Sequence, residues 1–402
     1  MTAANSTKIQ HAQVEHTPEA LNEWAAGLRQ RLGGHPIAVC LEQSRGALVY
    51  ALMRVDFLVL FPMPPKKLAR YREAILSTSG AKDDPTDAEL LLDYLANHRD
   101  RLRAWQPDDR LTREITLLGE ARRGLVDLRT KLSNTLKSQL KCYFPQTIGW
   151  LNDTVYTTLA CDFLLKWPTL EALQKAKPQT VRSFFYGHHS RGDRIEKILD
   201  QIPDAKPLIS DSAVINVSVA MVKALAKQLR SLADSIEAFE KKQEELFARH
   251  DDAAIFTALP GAGKVLAPRL LGAFGSNREK FELSRDVATL SGIAPVTRHS
   301  GKKRTVHRRW ACPKFLRQSF HEFADQSRMK SVWARAYYQK QRGNGAGHNA
   351  AIRALAFKWI RVIFRCWKDR CPYDESTYLQ SLRNRNSPLL KFLPQTNADL
   401  RS

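Results

Sequence analysis

Two stretches of this chain carry apolar residues at helical spacing for longer than a small domain requires. Leu111, Leu118, Leu125 and Leu132 recur every seven residues, with Ile115 and Leu128 between them. Leu225, Leu229, Leu232, Ile236, Phe239 and Leu246 keep steps of four and three, broken by Gln243 on the seam. That second pattern predicts a coiled-coil seam of about three heptads. The helices concerned should run onward from Leu111 and from about Val214 to His250. Each seam can pack on the other long helix of the same chain or on a partner chain, and the spacing does not choose between them. The long helices divide the 402 residues into 1–110, then 111–250 with an inserted segment at 145–207, then 251–371, then a mobile tail at 372–402.

The first segment alternates strand and helix signals. Thr7–Glu15 can form a strand, and Thr17-Pro18-Glu19 reads as an N-cap, a proline in the first turn and an acid beside the helix dipole. That helix should reach about Leu32 and end at Gly33-Gly34. Ile37–Leu41 and Phe57–Phe61 are short apolar runs that predict buried strands, joined by a helix from Gly46 to Arg54. The alternation predicts an α/β segment with helices covering a mixed or parallel sheet, ahead of a mostly helical remainder. Glu42 falls at the C-terminal end of its strand, where open α/β sheets place their sites. AKDDPTDA (81–88) then opens a helix to about Asn97, with Asp84 as N-cap and Pro85 at its first position. The same geometry sets Asp84 and Asp87 on one helical face. Near Glu42, these carboxylates can share a hard cation such as Mg²⁺.

A formal charge of +22 and a pI near 9.9 make the surface attractive to polyanions. The charge is densest in APVTRHSGKKRTVHRR, from Ala294 to Arg309. Arg298, Lys302, Lys303, Arg304, Arg308 and Arg309 stand there without an acid, around one hydroxyl nucleophile, Ser300, and the adjoining Gly301. A phosphate backbone is the natural counterion, because each neutralised phosphate releases a cation. Val287, Leu290 and Ile293 before the run, and Trp310, Phe315 and Leu316 after it, predict that packed structure holds it.

Upstream, LPGAGKVLAPRLL invites a phosphate-loop reading and fails it, with Ala258 in place of the first glycine and Val265 in place of Ser or Thr. It fits a helix-hairpin-helix turn through Leu259, Gly261, Gly263, Ala267, Leu270 and Leu271. The amides beside Lys264 can then hold a DNA phosphate without reading bases.

Other signals are weaker. No apolar run approaches the roughly 20 residues of a bilayer span, and Met1–Gln13 has no signal-peptide pattern. Cys40, Cys142, Cys161, Cys312, Cys366 and Cys371 lack metal or disulfide spacing and read as reduced thiols of a cytoplasmic protein. His188 and His189, in a Tyr186–Arg194 loop, lack a third ligand. Ala350–Trp367 reads as an amphipathic core helix.

Glu42 after its strand, AKDDPTDA, LPGAGKVLAPRLL through SGIAPVTRHSGKKR, and the later WARAYYQKQR and RALAFKWIRVIFRCW together resemble the IS110-type insertion-sequence transposases (the IS116/IS110/IS902 family). The resemblance implies an RNase-H-like, RuvC-like DEDD domain whose acids bind Mg²⁺, matched here by Glu42, Asp84 and Asp87. It also implies a C-terminal transposase domain whose serine attacks DNA, matched by Ser300. DNA, as element ends and target, and a structured noncoding RNA are the partners it implies. The long helices are expected to support a homo-oligomer, dimer or tetramer. The family's first catalytic aspartate lies on an opening Gly-Ile-Asp-Val-Ser-like strand, and Met1–Gln13 has no match to it. The chain is therefore expected to lack that first strand. Two other readings stand beside a recombinase: a truncated, catalytically inactive nucleic-acid-binding remnant, and a metal nuclease of Holliday-junction type using the carboxylates alone.

Overall fold

The chain divides into two units, Met1–Pro107 and Asp108–Ser402. The structure, a computed structural model, describes residues 9–42, 45–76, 83–301 and 303–393, apart from the side chains of Lys303 and Arg304.

In the first unit Thr17 caps helix α1 (Pro18–Leu32), its hydroxyl accepting from the Ala20 amide at 3.3 Å, and Gly33 ends it at φ 62°. Strand β1 (Ile37–Leu41), helix α2 (Ala47–Leu52) and strand β2 (Leu58–Pro62) follow. The strands pair in parallel, from Ile37 opposite Leu58 to Leu41 opposite Pro62. Both faces of a parallel pair need cover, and the alternation of β2 supplies two cores. Leu58 and Leu60 pack with Val49 and Leu52 of α2 and with Trp24 and Leu28 of α1. Phe61 and Met63 pack instead with Leu68 of α3 (Pro65–Ile75) and with Leu90 and Tyr94 of α4 (Asp84–Asn97).

Two local expectations are corrected here. Asp83, not Asp84, caps α4 by accepting from the Thr86 amide at 2.7 Å, so Asp84 is the first helical residue and Pro85 the second. Ile9–Glu15 is not a strand. Its residues are exposed except for half-buried Val14, so it has no apolar face to lay on a sheet. Thr7 and Lys8 lie outside the described residues.

The second unit is built on α5 (Arg110–Tyr143) and α11 (Ser212–Ala248), which run antiparallel. Near one end the Gln243 amide donates to the Ile115 carbonyl at 3.0 Å, Arg122 pairs with Glu240, and at the other end Leu136 and Leu140 share a core with Leu225 and Leu229. The seam thus closes within the chain. The seven-spaced leucines of α5 lie beside it: Leu111, Leu118, Leu125 and Leu132 are half-buried and Leu128 is exposed. Thr112, Ile115, Gly119, Ser133, Leu136, Leu140 and Tyr143 are the buried positions. A straight helix drifts about 20° per heptad, so a strict seven-residue series walks off the contact line.

Although no continuous apolar run marks it, α11 is long and apolar enough to cross a membrane by length and composition, with a mean hydropathy of 1.2 over 18 residues. It serves as a bundle helix, burying Val222, Leu225, Ala226 and Leu229 in the core that it shares with α5.

Between the long helices α6 (Gln146–Trp150), α7 (Thr158–Lys166), α8 (Leu170–Gln174), α9 (Pro178–Gly187) and α10 (Gly192–Gln201) enclose Phe144, Phe163, Phe185 and Ile195. The expected Tyr186–Arg194 loop shrinks to residues 188–191, because both flanks are helical. His188 packs on Phe184 with ring centroids 4.7 Å apart and stands 3.6 Å from Asp162.

Beyond α11 come α12 (Ala253–Thr257), α13 (Gly263–Phe274) and α14 (Ser284–Leu290), then strands β3 (Val296–Ser300) and β4 (Lys303–His307). Helices α15 (Lys314–Lys330), α16 (Val332–Gly343), α17 (His348–Lys368) and α18 (Glu375–Asn384) complete the unit. Three indoles, Trp333, Trp359 and Trp367, are fully buried in its core. A buried indole N–H needs an acceptor, and each has one: the Tyr373 hydroxyl at 2.7 Å, the Ser327 hydroxyl at 2.7 Å and the Gly275 carbonyl at 2.8 Å. The expected mobile tail is corrected up to residue 393, since α18 and a 3-10 turn at Pro388–Phe392 pack through buried Leu382 and Leu389. Residues 394–402 lie outside the described residues.

Gly119 makes room for Gln243 in the seam, as a Cβ there would stand 2.7 Å from the Gln243 amide nitrogen. Gly119→Val should therefore destabilise the second unit by about 1–3 kcal/mol through overpacking. Adding Gln243→Ala should recover part of that loss in urea unfolding. Strictly additive losses would show that the two residues do not press on each other.

Candidate nucleic-acid interface

The basic run folds as an antiparallel hairpin, with Val296 opposite His307 and Ser300 opposite Lys303. Only Gly301 and Lys302 connect the strands. Lys302 lies outside the described residues, as do the side chains of Lys303 and Arg304. Gly301 sits at φ 56°, where a side chain is strained, and the space a Cβ would take there is open. Positive φ in a two-residue connection matches the twist of a tight hairpin. The strands escaped the sequence reading because Thr297, Arg298, His299 and Ser300 are all exposed and show no apolar alternation.

Alternation along the strands puts Arg298 and Ser300 on one face with Thr305 and His307, and His299 and Val306 on the other. The 3.0 Å contact between His307 Nε2 and the Thr305 hydroxyl agrees with this. His299 thus turns away from Ser300, and His307 lies opposite Val296, about 13 Å along the strand. Val287, Ile293 and Leu316 are buried as expected, but Leu290 is exposed and Trp310 is 74% exposed. The Arg308 guanidinium stands 4.7 Å from the Trp310 ring centroid. An exposed indole beside a cation is a surface on which a nucleobase can stack.

At the base of the hairpin Arg308 meets cations from two helices. Burial, then Arg308 and Arg317 of α15, hold the Arg353 guanidinium of α17 below its ordinary pKa. Burial and then Arg353 likewise lower His321. Among the described residues the contacts of Arg308 and Arg317 are with Trp310 and the Cys312 thiol, not with a carboxylate. Among the described residues the buried Arg309 Nε has no hydrogen-bond partner. Like charges packed this way are relieved by an anion among them. Arg317 and Arg353 were missed in the sequence, though the lack of any acid from 287 to 321 and from 348 to 368 was a usable signal.

The glycine turn joins α12 to α13, with Gly261 at φ 84° and Gly263 at φ 54°. Its two glycines differ. A Cβ on Gly261 would stand 2.9 Å from the Gln326 carbonyl carbon and oxygen, so this glycine lets α15 pack closely. Gly263 borders open space, and no side chain caps the α13 N-terminus that it begins. Lys264, 77% exposed, pairs with Glu244 at 2.7 Å.

In the first unit Glu42 is half-buried directly after β1, and α4 packs beside that strand. Asp84 is exposed. Asp87 is buried, and its carboxylate accepts from Arg72 of α3 through Nε at 2.9 Å and again through Nη2. Among the described residues no group of three or more His, Cys, Asp or Glu could hold a metal ion. Glu42, Asp84 and Asp87 as arranged here do not fit Mg²⁺, because Arg72 already neutralises Asp87.

Two substitutions separate packing from function in these elements. Gly261→Ala should cost about 2 kcal/mol or more, from left-handed strain and the clash with α15, while leaving the salt dependence of DNA binding unchanged. Arg72→Ala should destabilise the first unit by on the order of 3 kcal/mol by leaving a buried carboxylate alone. An unchanged melt would show that Asp87 does not need its partner.

Residues 1–145 match a family described as a transposase, of the DEDD class of IS110, and residues 253–339 match the transposase IS116/IS110/IS902 family. The three carboxylates fall in the first match, and the glycine turn, the hairpin and α15 fall in the second. A Streptomyces coelicolor protein described as a candidate mini-circle transposase for IS117 is 28% identical over 346 residues, covering 85% of this chain and 83% of its own length. The uncharacterized 42 kDa protein of insertion element IS900 from Mycobacterium paratuberculosis is 24% identical over 377 residues, 93% of each chain. The uncharacterized 43.6 kDa protein of insertion element IS110, also from Streptomyces coelicolor, is 24% identical over 312 residues, 76% of each. Both segments match IS110-type transposase families and these relatives run along most of the chain, which together support the IS116/IS110/IS902 transposase family for it.

Proposed function

We propose that this transposase cuts and rejoins DNA through Ser300. The observation that carries the reading is the placement of an exposed serine at the tip of a two-residue hairpin turn, with open space at Gly301 and cations along both strands. A backbone phosphate can approach that tip closely. Ser300 Oγ forms a bond to phosphorus while a phosphorus–oxygen bond to one nucleoside breaks, and the departing oxygen takes a proton. The phosphoserine link keeps the phosphodiester energy, so the reverse attack by a different DNA hydroxyl reseals the strand without ATP. Arg298, on the same face of the hairpin, stabilises the charge that builds on the phosphoryl oxygens.

A serine hydroxyl needs a base, and among the described residues of the hairpin none is placed for it, so the reading draws the base from elsewhere in the assembly. Asp87 is engaged by Arg72, so the carboxylates of the first unit take no part in the proposed step. The surplus charge of +22 supports DNA as partner at the element ends and the target, and a structured RNA as a second polyanion. Exposed Leu117 and Leu128 on α5 support assembly of more than one copy. A second reading, a binding remnant without catalysis, is favoured by the occupied Asp87 carboxylate.

The deciding experiment traps covalent protein–DNA adducts with element-end DNA. Ser300→Ala should abolish the adduct and leave binding intact; an adduct that persists moves the nucleophile elsewhere. Salt-dependent binding with no adduct from the parent protein selects the remnant. Exchanging Lys302, Lys303 and Arg304 for alanine should weaken binding to every sequence and flatten the salt slope by up to about one unit per lost phosphate contact. An unchanged slope would remove those side chains from the interface.

A further inference from the structure

The C-terminal helices carry a second cationic cluster apart from the hairpin. Residues 331–393 hold twelve Lys and Arg against three acids. Each acid is engaged: Asp369 with Arg365, Asp374 as the cap of α18, and Glu375 with the Ser331 hydroxyl and the Val332 amide. Lys340 of α16, Lys358 and Arg361 of α17, and Arg385 just past α18 act on one another here. Lys358 is half-buried, its Nζ 4.6 Å from the Tyr337 ring centroid and 5.4 Å from that of Trp333. Lys340 Nζ lies 5.8 Å from the ring of Phe392, which is 43% exposed. Arg361 and Arg385 are exposed at the rim, and Arg385 is steadied by the Ser381 carbonyl at 3.0 Å and hydroxyl at 2.7 Å.

Burial, then Lys340, Arg361 and Arg385, pull the Lys358 pKa down to about 8, and no acid is among the groups acting on it. The contrast within the same unit is informative. Buried Arg269 has Glu322 at 2.5 Å, Arg278 has Asp252 at 2.6 Å, and Lys280 has Asp108 at 2.9 Å. Cations that serve packing here come with their own acids, and this group does not.

We propose that Lys340, Lys358, Arg361 and Arg385 form a second nucleic-acid site that holds backbone phosphates without reading bases. The inference rests on the reading of this chain as one that acts on nucleic acid. Lys358 supplies a floor of charge packed on aromatic rings, the arginines close on the phosphates from the rim, and Phe392 offers a face to one base. Five residues separate Arg353 from Lys358 on α17, which places them about 140° apart around the helix axis. A strand lying on the hairpin therefore does not reach this cluster without passing around α17, and the two sites hold two segments of nucleic acid. The four residues also lie beyond the matched segment 253–339.

The test measures binding of the full chain to labelled duplex DNA and to labelled RNA across a range of potassium chloride. Arg361→Ala combined with Arg385→Ala alters exposed side chains only, and a matched thermal melt confirms the fold. The slope of log affinity against log salt should fall by about two units, and the polymer that shows the fall is the ligand. Lys358→Met, which keeps the packing, should lower the slope further. Slopes equal to the parent's on both polymers overturn the second site. If the exchanges at Lys302, Lys303 and Arg304 still weaken binding in that case, the functional reading stands; if they too change nothing, that reading falls as well.

Discussion

The antiparallel contact of α5 with α11 is what the second unit depends on. Its two ends feed two different cores, one holding Phe144, Phe163 and Leu229 and the other holding Ile115, Leu246 and the three indoles. Gln243 is bonded across the pair to the Ile115 carbonyl, and just past the end of α11 His250 meets Thr112 at 2.8 Å. From this spine, Arg123 reaches Glu322 of α15 at 3.4 Å, and Glu322 also holds Arg269 of α13. The hairpin precedes α15 and the glycine turn precedes α13, so both candidate contact elements are tied to the spine through one carboxylate. Breaking a buried pair of this kind leaves an uncompensated charge inside the fold, so the frame of the interface is held by charge as well as by packing.

Two groups of cations in this protein contrast. Arg72, Arg269, Arg278 and Lys280 are largely buried and each faces an acid. Arg308, Arg317, Arg353 and Lys358 face one another or aromatic rings. Folding alone gains little from the second arrangement, since repulsion between half-buried like charges opposes compaction. The surplus that sets the net charge at +22 is thus partly assembled into defined places, on α15, α17 and the ends of the hairpin, and not merely spread over a solvated surface.

How much of this was legible in the sequence depended on whether the signal was local. The Thr17-Pro18 start, the Gly33 stop and the parallel strands at residues 37–41 and 58–62 follow from capping chemistry and apolar runs, and they stand where expected. The long helices were readable from period, but the heptad leucines of α5 were not the buried ones, because the contact line drifts. The β3–β4 hairpin left no trace, since a strand with two polar faces has no alternation to show. For the carboxylates, strand-end and helix-start placement were legible; Arg72, fifteen residues before Asp87, was not, because only the fold brings the two together. The same limit hid the role of Gly261. Its tight turn is a local matter, while the Gln326 backbone that presses on it comes from a distant helix.

The Lys264–Glu244 pair at the mouth of α13 changes what kind of ligand that helix end can select. An incoming anion does not meet a vacant ammonium; it exchanges with a carboxylate already resident there. An exposed pair of this sort is worth at most about 1 kcal/mol, so the exchange returns little to a single free phosphate. A polymer that engages several positions at once overcomes the incumbent, because each further contact is made at high effective concentration. On the proposed nucleic-acid reading, Glu244 is a built-in competitor that discounts small anions and leaves the helix end responsive to length.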